Sequence, residues 1–141
     1  MEQRLSLVTL AVADLSRARS FYEEGLGWTP LQAADEVAFY QLPGLAFGLF
    51  ERAAFEADAR RRIDGAFSGM ALAINQRSRP EVDALFAEVK AAGAEILKPP
   101  EETPWGGYSG YFTDLDGHTW EVAHNPFCVI EADGSTSFAP A

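Results

Sequence analysis

Histidine and cysteine, the side chains that most often hold transition metals or act as nucleophiles, are scarce in this chain. The chain has two histidines, His118 and His124, and one cysteine, Cys128. The pattern from His118 to His124 predicts a strand, whose side chains alternate between two faces. Glu121 therefore faces away from both histidines and cannot share one ion with either. A lone cysteine excludes an intrachain disulfide and a multi-cysteine metal cluster, and we interpret Cys128 as a small packing residue.

Glu121 is the carboxylate with the most suggestive neighbours. With Asp116-Gly117 as a tight hairpin turn, Phe112 lies opposite Glu121. Tyr108, Gly110 and Phe112 then share its face, and Gly110 leaves space there as a cavity wall would. In such a pocket Glu121 is a candidate general base, or an anchor for a cationic or polar ligand. The alternative is that Glu121 bonds to a neighbouring strand or faces water, with both aromatic side chains packed in the core.

Other aromatic residues are candidates for ligand contact. Trp105 lies in the flexible sequence Trp105-Gly106-Gly107 and is either a lid over a planar ligand or a plug at the end of a sheet. Tyr40 is a candidate cavity wall in the first half of the chain, whereas core packing is expected for Trp28. No phosphate loop, nucleophile elbow or dinucleotide fingerprint is present.

The elements that must position these residues follow one pattern twice: an apolar strand, a capped helix, a glycine stop and about three further strands. Asp14 and Ser78 are the predicted N-caps, and Gly27 and Gly93 end the helices. Neither half can bury its sheet face alone, so the halves should pack together. The sequence therefore predicts an α+β protein with two βαβββ modules.

The individual elements are predicted as follows. A short helix or connector covers 53–63, and the tail beyond Asn125-Pro126 lacks a period apart from a turn at Asp133-Gly134-Ser135. Prolines bracket a loop between 99 and 107. The predicted strands are 5–12, 29–33, 36–42, 45–50, 69–74, 94–97, 108–114 and 118–124.

Composition restricts the partners. Of the 141 residues 48% are hydrophobic, and the formal net charge is −10. Such an acidic surface argues against nucleic acid and against anionic membranes. Arg60-Arg61-Arg62 is then either a solvated face or an anion-steering patch. The apolar run near the N-terminus is too short to span a bilayer and lacks a signal-peptide layout, so we expect a cytoplasmic protein.

Several motifs together resemble those of the vicinal oxygen chelate superfamily, which includes glyoxalases, bleomycin-resistance proteins, fosfomycin-resistance proteins and extradiol dioxygenases. The resemblance covers about residues 5–127 and implies modules whose curved sheets enclose a cavity. We expect one domain over 1–141, with modules at about 5–52 and 68–127, a connector at 53–67 and a tail at 128–141. The matching motifs are 7–15 (LVTLAVADL), Phe21-Tyr22, 25–28 (GLGW), 105–108 (WGGY), 112–118 (FTDLDGH) and 120–122 (WEV).

The resemblance also implies where a divalent metal would bind in the family's metal enzymes. Their ligand positions fall on Leu7, Met70, Leu49 and Glu121 in this chain. Only Glu121 offers a hard donor, whereas a protein-held divalent ion needs about three or more. We therefore predict no metal in this position and no other cofactor.

These observations favour a metal-independent small-molecule binding protein that resembles bleomycin-resistance proteins. Its ligand would lie in an aromatic-lined cavity against Tyr40, Trp105, Tyr108, Phe112 and Glu121. The alternative is a lyase or isomerase of the glyoxalase type acting on a small carbonyl compound, with Glu121 as base or with a divalent metal. A non-catalytic interaction module is the third hypothesis. By resemblance alone, we expect a homodimer.

Overall fold

The computed structural model describes residues 7–60, 62–65 and 70–138. The chain divides into two compact units, Met1–Ser68 and Gly69–Ala141. Each unit contains a four-stranded mixed sheet, and the element order confirms the predicted α+β fold with two βαβββ modules. No helix in the described ranges is long and apolar enough to cross a membrane.

The first unit is built on the strand order β1-β4-β3-β2. Asp14 caps the first helix as predicted, because its Oδ1 accepts a hydrogen bond of 2.9 Å from the Arg17 backbone N–H. That helix continues into a π-helical turn, Phe21–Gly25. The elements are β1 (Leu7–Val12), α1 (Leu15–Ser20), β2 (Gln32–Ala33), β3 (Val37–Leu42), β4 (Leu45–Glu51) and α2 (Arg52–Ala59).

The second unit repeats this arrangement in the strand order β5-β8-β7-β6. Ser78 caps its helix and accepts from the Glu81 N–H at 3.4 Å, while Glu81 accepts from the Arg77 N–H at 2.9 Å. The predicted N-cap at Ser78 is therefore confirmed, whereas Glu81 bonds the residue before the cap and does not complete a reciprocal capping box. The elements are β5 (Ala71–Asn75), α3 (Arg79–Ala91), β6 (Glu95–Glu102), β7 (Tyr108–Thr113), β8 (Thr119–His124), β9 (Cys128–Ile130) and β10 (Thr136–Phe138).

The β7–β8 hairpin corrects the predicted pairing by one residue. Its connection is the three-residue loop from Leu115 to Gly117, with Asp114 and His118 as the flanking backbone pair. The Asp114 carboxylate stabilises this loop by accepting from the Asp116 and His118 N–H groups at 3.0 and 2.9 Å. Gly117, at φ +85°, occupies the left-handed position that such loops require. A tight two-residue Asp-Gly turn was therefore the wrong prediction.

Three further boundaries differ from prediction. The strand predicted at 29–33 is limited to Gln32–Ala33. The strand predicted at 94–97 extends to Glu102 through two prolines, which it accommodates as an edge strand with register shifts. The tail contains the β9–β10 pair, whose two short strands were not predicted, joined near the predicted turn at Asp133-Gly134-Ser135.

Candidate functional site

The sheet of the second unit has two different faces. Helix α3 covers one of them: the Phe86 ring meets Phe112 at 6.3 Å in an edge-on contact, and Phe112 stacks on Trp120 at 6.2 Å. Alternate residues of the central strands point to the other face, which we call the open face. Three cross-strand rows form it: Ala71, Thr119 and Thr113; Ala73, Glu121 and Tyr111; and Asn75, Ala123 and Ser109.

Glu121 and Tyr111 lie directly opposite each other on β8 and β7, at the centre of the open face. Burial, followed by the negative charge of the neighbouring Glu121, raises the pKa of Tyr111, which the positive charge of Lys98 partly opposes. The Tyr111 proton therefore stays on the phenol near neutral pH.

Lys98 is a cation whose charge acts on Tyr111. It pairs with Tyr111 across β6 and β7, between the two register shifts. Its Nζ lies 3.0 Å from Glu101 Oε1, in an ion pair whose side chains are both more than a third exposed. Lys98 therefore acts on Tyr111 through its charge, while its ammonium contacts Glu101.

Tyr108 and Phe112 do not share the face of Glu121, contrary to the prediction. The one-residue change in hairpin register turns both side chains to the α3 side. Tyr108 donates from its hydroxyl to Asp83 Oδ1 at 2.8 Å, which raises the pKa of Tyr108, and the Arg79 guanidinium lies 5.8 Å from its ring centroid. Tyr108 and Phe112 therefore both contact side chains of α3.

Gly110 does not leave the space that the sequence analysis assigned to it. A Cβ at Gly110 would lie 2.6 Å from the Lys98 carbonyl oxygen, 2.6 Å from Phe86 Cζ and 2.9 Å from the Pro100 nitrogen. Its missing side chain therefore permits close packing of β6 and α3 against β7. Gly110 is a structural glycine on the α3 side.

Trp105 lies in a compact loop that precedes β7. Thr103 closes the loop by accepting from the Gly106 N–H through its carbonyl and from the Gly107 N–H through its hydroxyl. The indole of Trp105 folds back over Gly107, at a position where a Cβ on Gly107 would overlap the ring. Trp105 is 43% exposed. The loop thus presents an aromatic surface.

Tyr40 belongs to an aromatic cluster on the α1 side of the first sheet. Its ring lies 5.7 Å from Trp28 and 6.1 Å from Phe47, and it is 1% exposed. Its hydroxyl donates to Glu23 Oε1 at 2.9 Å, while Arg19 bonds the same carboxylate at 2.7 Å. Burial, and then Glu23, raises the pKa of Tyr40. With Trp28 it also borders a groove of about 290 Å³.

The opposite face of the first sheet carries residues that the sequence analysis did not assign. Phe39 lies over Gly48, where a Cβ would meet its ring at 3.2 Å and Thr9 Oγ1 at 3.3 Å. Phe50 shares this face and contacts Phe55 of α2 at 6.0 Å. Gly48 pairs with Thr9 on one side and with Phe39 on the other, so these residues share one face of the sheet.

The positions that resemble metal-ligand sites do not provide a donor set for a divalent ion. When the first strands of the two modules are aligned by sequence, Ala11 is equivalent to Ala73. The strand partner of Ala11 is Phe50, and the strand partner of Ala73 is Glu121. Phe50, rather than the predicted Leu49, thus corresponds to Glu121. The described ranges hold no group of three or more His, Cys, Asp and Glu residues suited to a metal. One carboxylate does not fit a protein-held divalent ion.

The same alignment also changes which residue of the second module corresponds to Leu7 on the first strand. Counting back four residues from Ala11 gives Leu7, and counting back four from Ala73 gives Gly69. The predicted Met70 corresponds instead to Val8 and is 52% exposed. Gly69 lies outside the described residues, and glycine has no side-chain donor.

The histidines and the cysteine have local partners. His118 Nδ1 lies 2.8 Å from Asp114 Oδ2, so the His118 side chain contacts the carboxylate that stabilises the hairpin loop. His124 Nδ1 lies 3.2 Å from the Gln76 carbonyl oxygen at the end of its strand. Burial raises the pKa of the Cys128 thiol, which disfavours the thiolate that nucleophilic chemistry needs. Arg61, within the arginine run, lies outside the described residues.

The paired modules and the open sheet face define a protein of the glyoxalase-like fold class. The model of the Glyoxalase/Bleomycin resistance protein/Dioxygenase superfamily matches residues 4–122, and the chain belongs to this superfamily. The resemblance stated from the sequence motifs is confirmed at this level.

Similar proteins include enzymes. Metallothiol transferase FosB of Shouchella clausii is 29% identical over 125 residues, which cover 86% of this chain and 80% of that protein. The FosB protein of Staphylococcus saprophyticus is 30% identical over 86% of this chain and 77% of its own length. The crystal structure of a glyoxalase-related enzyme from Fulvimarina pelagi is 38% identical, with a TM-score of 0.93, over 99% of this chain and 100% of that one.

Proposed function

We propose that this protein binds a small organic molecule without a protein-held metal, using Glu121 and Tyr111 on the open face as its polar anchor. The observation that carries the proposal is the cross-strand pairing of Glu121 with Tyr111 at the centre of that face, where the charge of Glu121 raises the pKa of Tyr111. Ala73, a small and exposed residue, lies beside Glu121 on β5, and Glu121 and Tyr111 are both partly exposed. A small ligand can therefore reach the pair.

The electrostatics of the pair define what it can do. A carboxylate has about four acceptor sites, so Glu121 can accept hydrogen bonds from a ligand. The hydroxyl of the neighbouring Tyr111 can donate to Glu121 or to the same ligand. Trp105, which is half-exposed, stays a predicted contact for a planar ligand portion.

Nuclear magnetic resonance with ¹⁵N-labelled protein tests this proposal, using a broad fragment library. We expect fragments that shift the amide signals of β5, β7 and β8, and weaker binding to the Glu121→Gln and Tyr111→Phe variants. Tyr108→Phe is a matched control, because Tyr108 donates to a carboxylate on the opposite face of β7. A screen in which no fragment shifts these strands, or in which Tyr108→Phe weakens binding as much as Tyr111→Phe, would refute the proposal.

The alternative function is an enzyme of the lyase or isomerase type acting on a small carbonyl compound. The 38% identity to a structure described as a glyoxalase-related enzyme supports it. In its metal-free form, Glu121 would be the base and Tyr111 a neighbouring hydrogen-bond donor. Elemental analysis of the purified protein, before and after incubation with zinc, nickel, manganese and iron, tests the metal-dependent form of the enzyme, and turnover by a Glu121→Gln variant tests the metal-free form. Near-stoichiometric metal would favour the enzyme and contradict metal-independent binding.

The cytoplasmic location and the homodimer remain parts of this proposal, supported by membership of the superfamily. The absence of a nucleic-acid or membrane partner is supported by the net charge of −10. Light scattering on the purified protein measures the oligomeric state, and a monomer over the accessible concentration range would contradict the dimer.

A further inference from the structure

The first unit contains an open cavity bordered by its helix and by the turn that joins β2 to β3. Its volume is about 400 Å³, which is within the range of small-molecule sites. One wall is formed by α1 and the π-helical turn, and the other by Ala34 and Asp35. The open face belongs to the sheet of the second unit, so this cavity is a different candidate site.

The helical wall of the cavity carries an arginine that is held in place. Arg19 donates from Nε and Nη2 to the two carboxylate oxygens of Glu23, at 2.7 and 3.2 Å. The hydroxyl of the buried Tyr40 donates to the same carboxylate at 2.9 Å and fixes its position. A guanidinium has further N–H groups beyond the two that Glu23 accepts, so Arg19 keeps donors for a ligand carboxylate.

The two walls together give the cavity a net negative charge. Glu24 lies on the helical wall and Asp35 on the opposite one, and both are solvent-exposed, so a ligand can reach them. One arginine and three carboxylates among the lining residues leave a net charge of −2. The Ser20 hydroxyl lies 3.4 Å from Glu24 Oε1 and uses one of its acceptor sites. The remaining acceptor sites suit ammonium groups.

The helical wall also departs from regular α-helix at the cavity. The Leu26 N–H donates to the Phe21 carbonyl, five residues back, at 3.1 Å. This π-helical turn follows directly on α1 and contains both Glu23 and Glu24. Such turns are rare and occur frequently at functional sites. The irregular segment and the cavity therefore coincide on the same residues.

We propose that this cavity binds a small basic amino acid, such as lysine, as a second ligand site of the chain. The carboxylate of the ligand would pair with Arg19, and its two ammonium groups with Glu24 and Asp35. Such a ligand carries one positive charge overall, which suits the net charge of −10 of the protein.

Three compounds of similar length test the inference: L-lysine, L-norleucine, which lacks the side-chain ammonium, and 1,5-diaminopentane, which lacks the carboxylate. Their affinities are measured from ¹⁵N amide shifts of residues 15–25 and 34–36, at about 0.3 M salt, so that attraction to distant charges is screened. We expect L-lysine to bind about three- to fivefold more tightly than L-norleucine, which is the size of effect that one solvent-exposed ion pair supplies. Despite its larger charge, 1,5-diaminopentane should also bind more weakly than L-lysine, because it offers no partner to Arg19.

Variants of the exposed carboxylates give the specific readout. Asp35→Asn and Glu24→Gln should each weaken L-lysine binding about threefold. Glu36→Gln is the matched control, because Glu36 is exposed and adjacent to Asp35 but does not line the cavity. It changes the net charge by the same amount and should leave the affinity unchanged.

Three results would overturn the inference. If L-lysine leaves the amide signals of both walls unchanged, the cavity is not an amino-acid site. If 1,5-diaminopentane binds as tightly as L-lysine, Arg19 does not select a carboxylate. If Glu36→Gln weakens binding as much as Asp35→Asn, the attraction comes from the acidic surface as a whole. The open face enters none of these measurements, so the proposed function stands or fails separately.

Discussion

Replacement of Gly110 by alanine tests the packing of β6 and α3 against β7. The added Cβ would lie at 2.6 Å from both the Lys98 carbonyl oxygen and Phe86 Cζ, and at 2.9 Å from the Pro100 nitrogen. Favourable heavy-atom contacts lie near 3.5–4.0 Å, so the overlap is about 1 Å. Two of the three opposing atoms belong to the backbone of β6 and cannot rotate away. Strand β6 must therefore move, together with its hydrogen bonds to β7.

Overpacking of this kind costs about 1–3 kcal/mol, and the backbone contacts place Gly110→Ala near about 3 kcal/mol. For a urea dependence of about 2 kcal/mol per molar, the unfolding midpoint should fall by about 1.5 M. Circular dichroism during equilibrium urea unfolding measures the shift. A midpoint that stays within about 0.2 M of the parent value would refute the close approach of β6 to Gly110.

Gly107→Ala is a matched comparison, because a Cβ on Gly107 would lie even closer to its nearest neighbour, at 1.8 Å from the Trp105 ring. The opposing atoms belong to the Trp105 indole, which is 43% exposed and can swing into solvent. We therefore expect a loss below about 1 kcal/mol together with a change in tryptophan fluorescence. If Gly107→Ala is as destabilising as Gly110→Ala, the distinction between yielding side chains and fixed backbone is wrong for this protein.

Three further predictions concern ionisable groups. Asp114→Ala should lower the free energy of unfolding by about 2–4 kcal/mol, measured by urea, because the hairpin loop loses two charge-assisted backbone hydrogen bonds. The hydrogen bond from Arg19 lowers the pKa of Glu23 below its ordinary 4.5. The stability that Glu23 contributes is therefore complete above pH 4.5 and is lost as the pH falls through the lowered pKa. Glu23→Gln should make the melting temperature decline less steeply in acid. Glu121→Gln should lower the pKa of Tyr111 in an ultraviolet titration, without restoring its ordinary value, because burial is the larger cause.

Each of these has a contrary result. Asp114→Asn keeps one acceptor oxygen and should lose less stability than Asp114→Ala, so equal losses would show that the loop hydrogen bonds contribute little. An acid decline with the same slope in Glu23→Gln would remove Glu23 as its source. An unchanged Tyr111 titration in Glu121→Gln would contradict the influence of the Glu121 charge on Tyr111.

The hairpin shows why part of the site could not be predicted. Asp116-Gly117 fits a two-residue turn by composition, but the buried Asp114 carboxylate stabilises a three-residue loop. The resulting shift of one residue moved Tyr108 and Phe112 to the helix side and brought Tyr111 to Glu121. The Asp-x-Asp-Gly-His sequence of the loop was the signal that could have indicated the longer connection.

The sequence by itself determined the elements that depend on local interactions. The N-caps at Asp14 and Ser78, the two repeated modules and the separation of Glu121 from the histidines all follow from neighbouring residues and strand alternation. The tertiary structure alone decided which side chains meet across strands, including the Glu121–Tyr111 pair. Cross-strand register depends on loop hydrogen bonds and on packing between distant segments, and a one-residue change in it reverses every side chain on a strand.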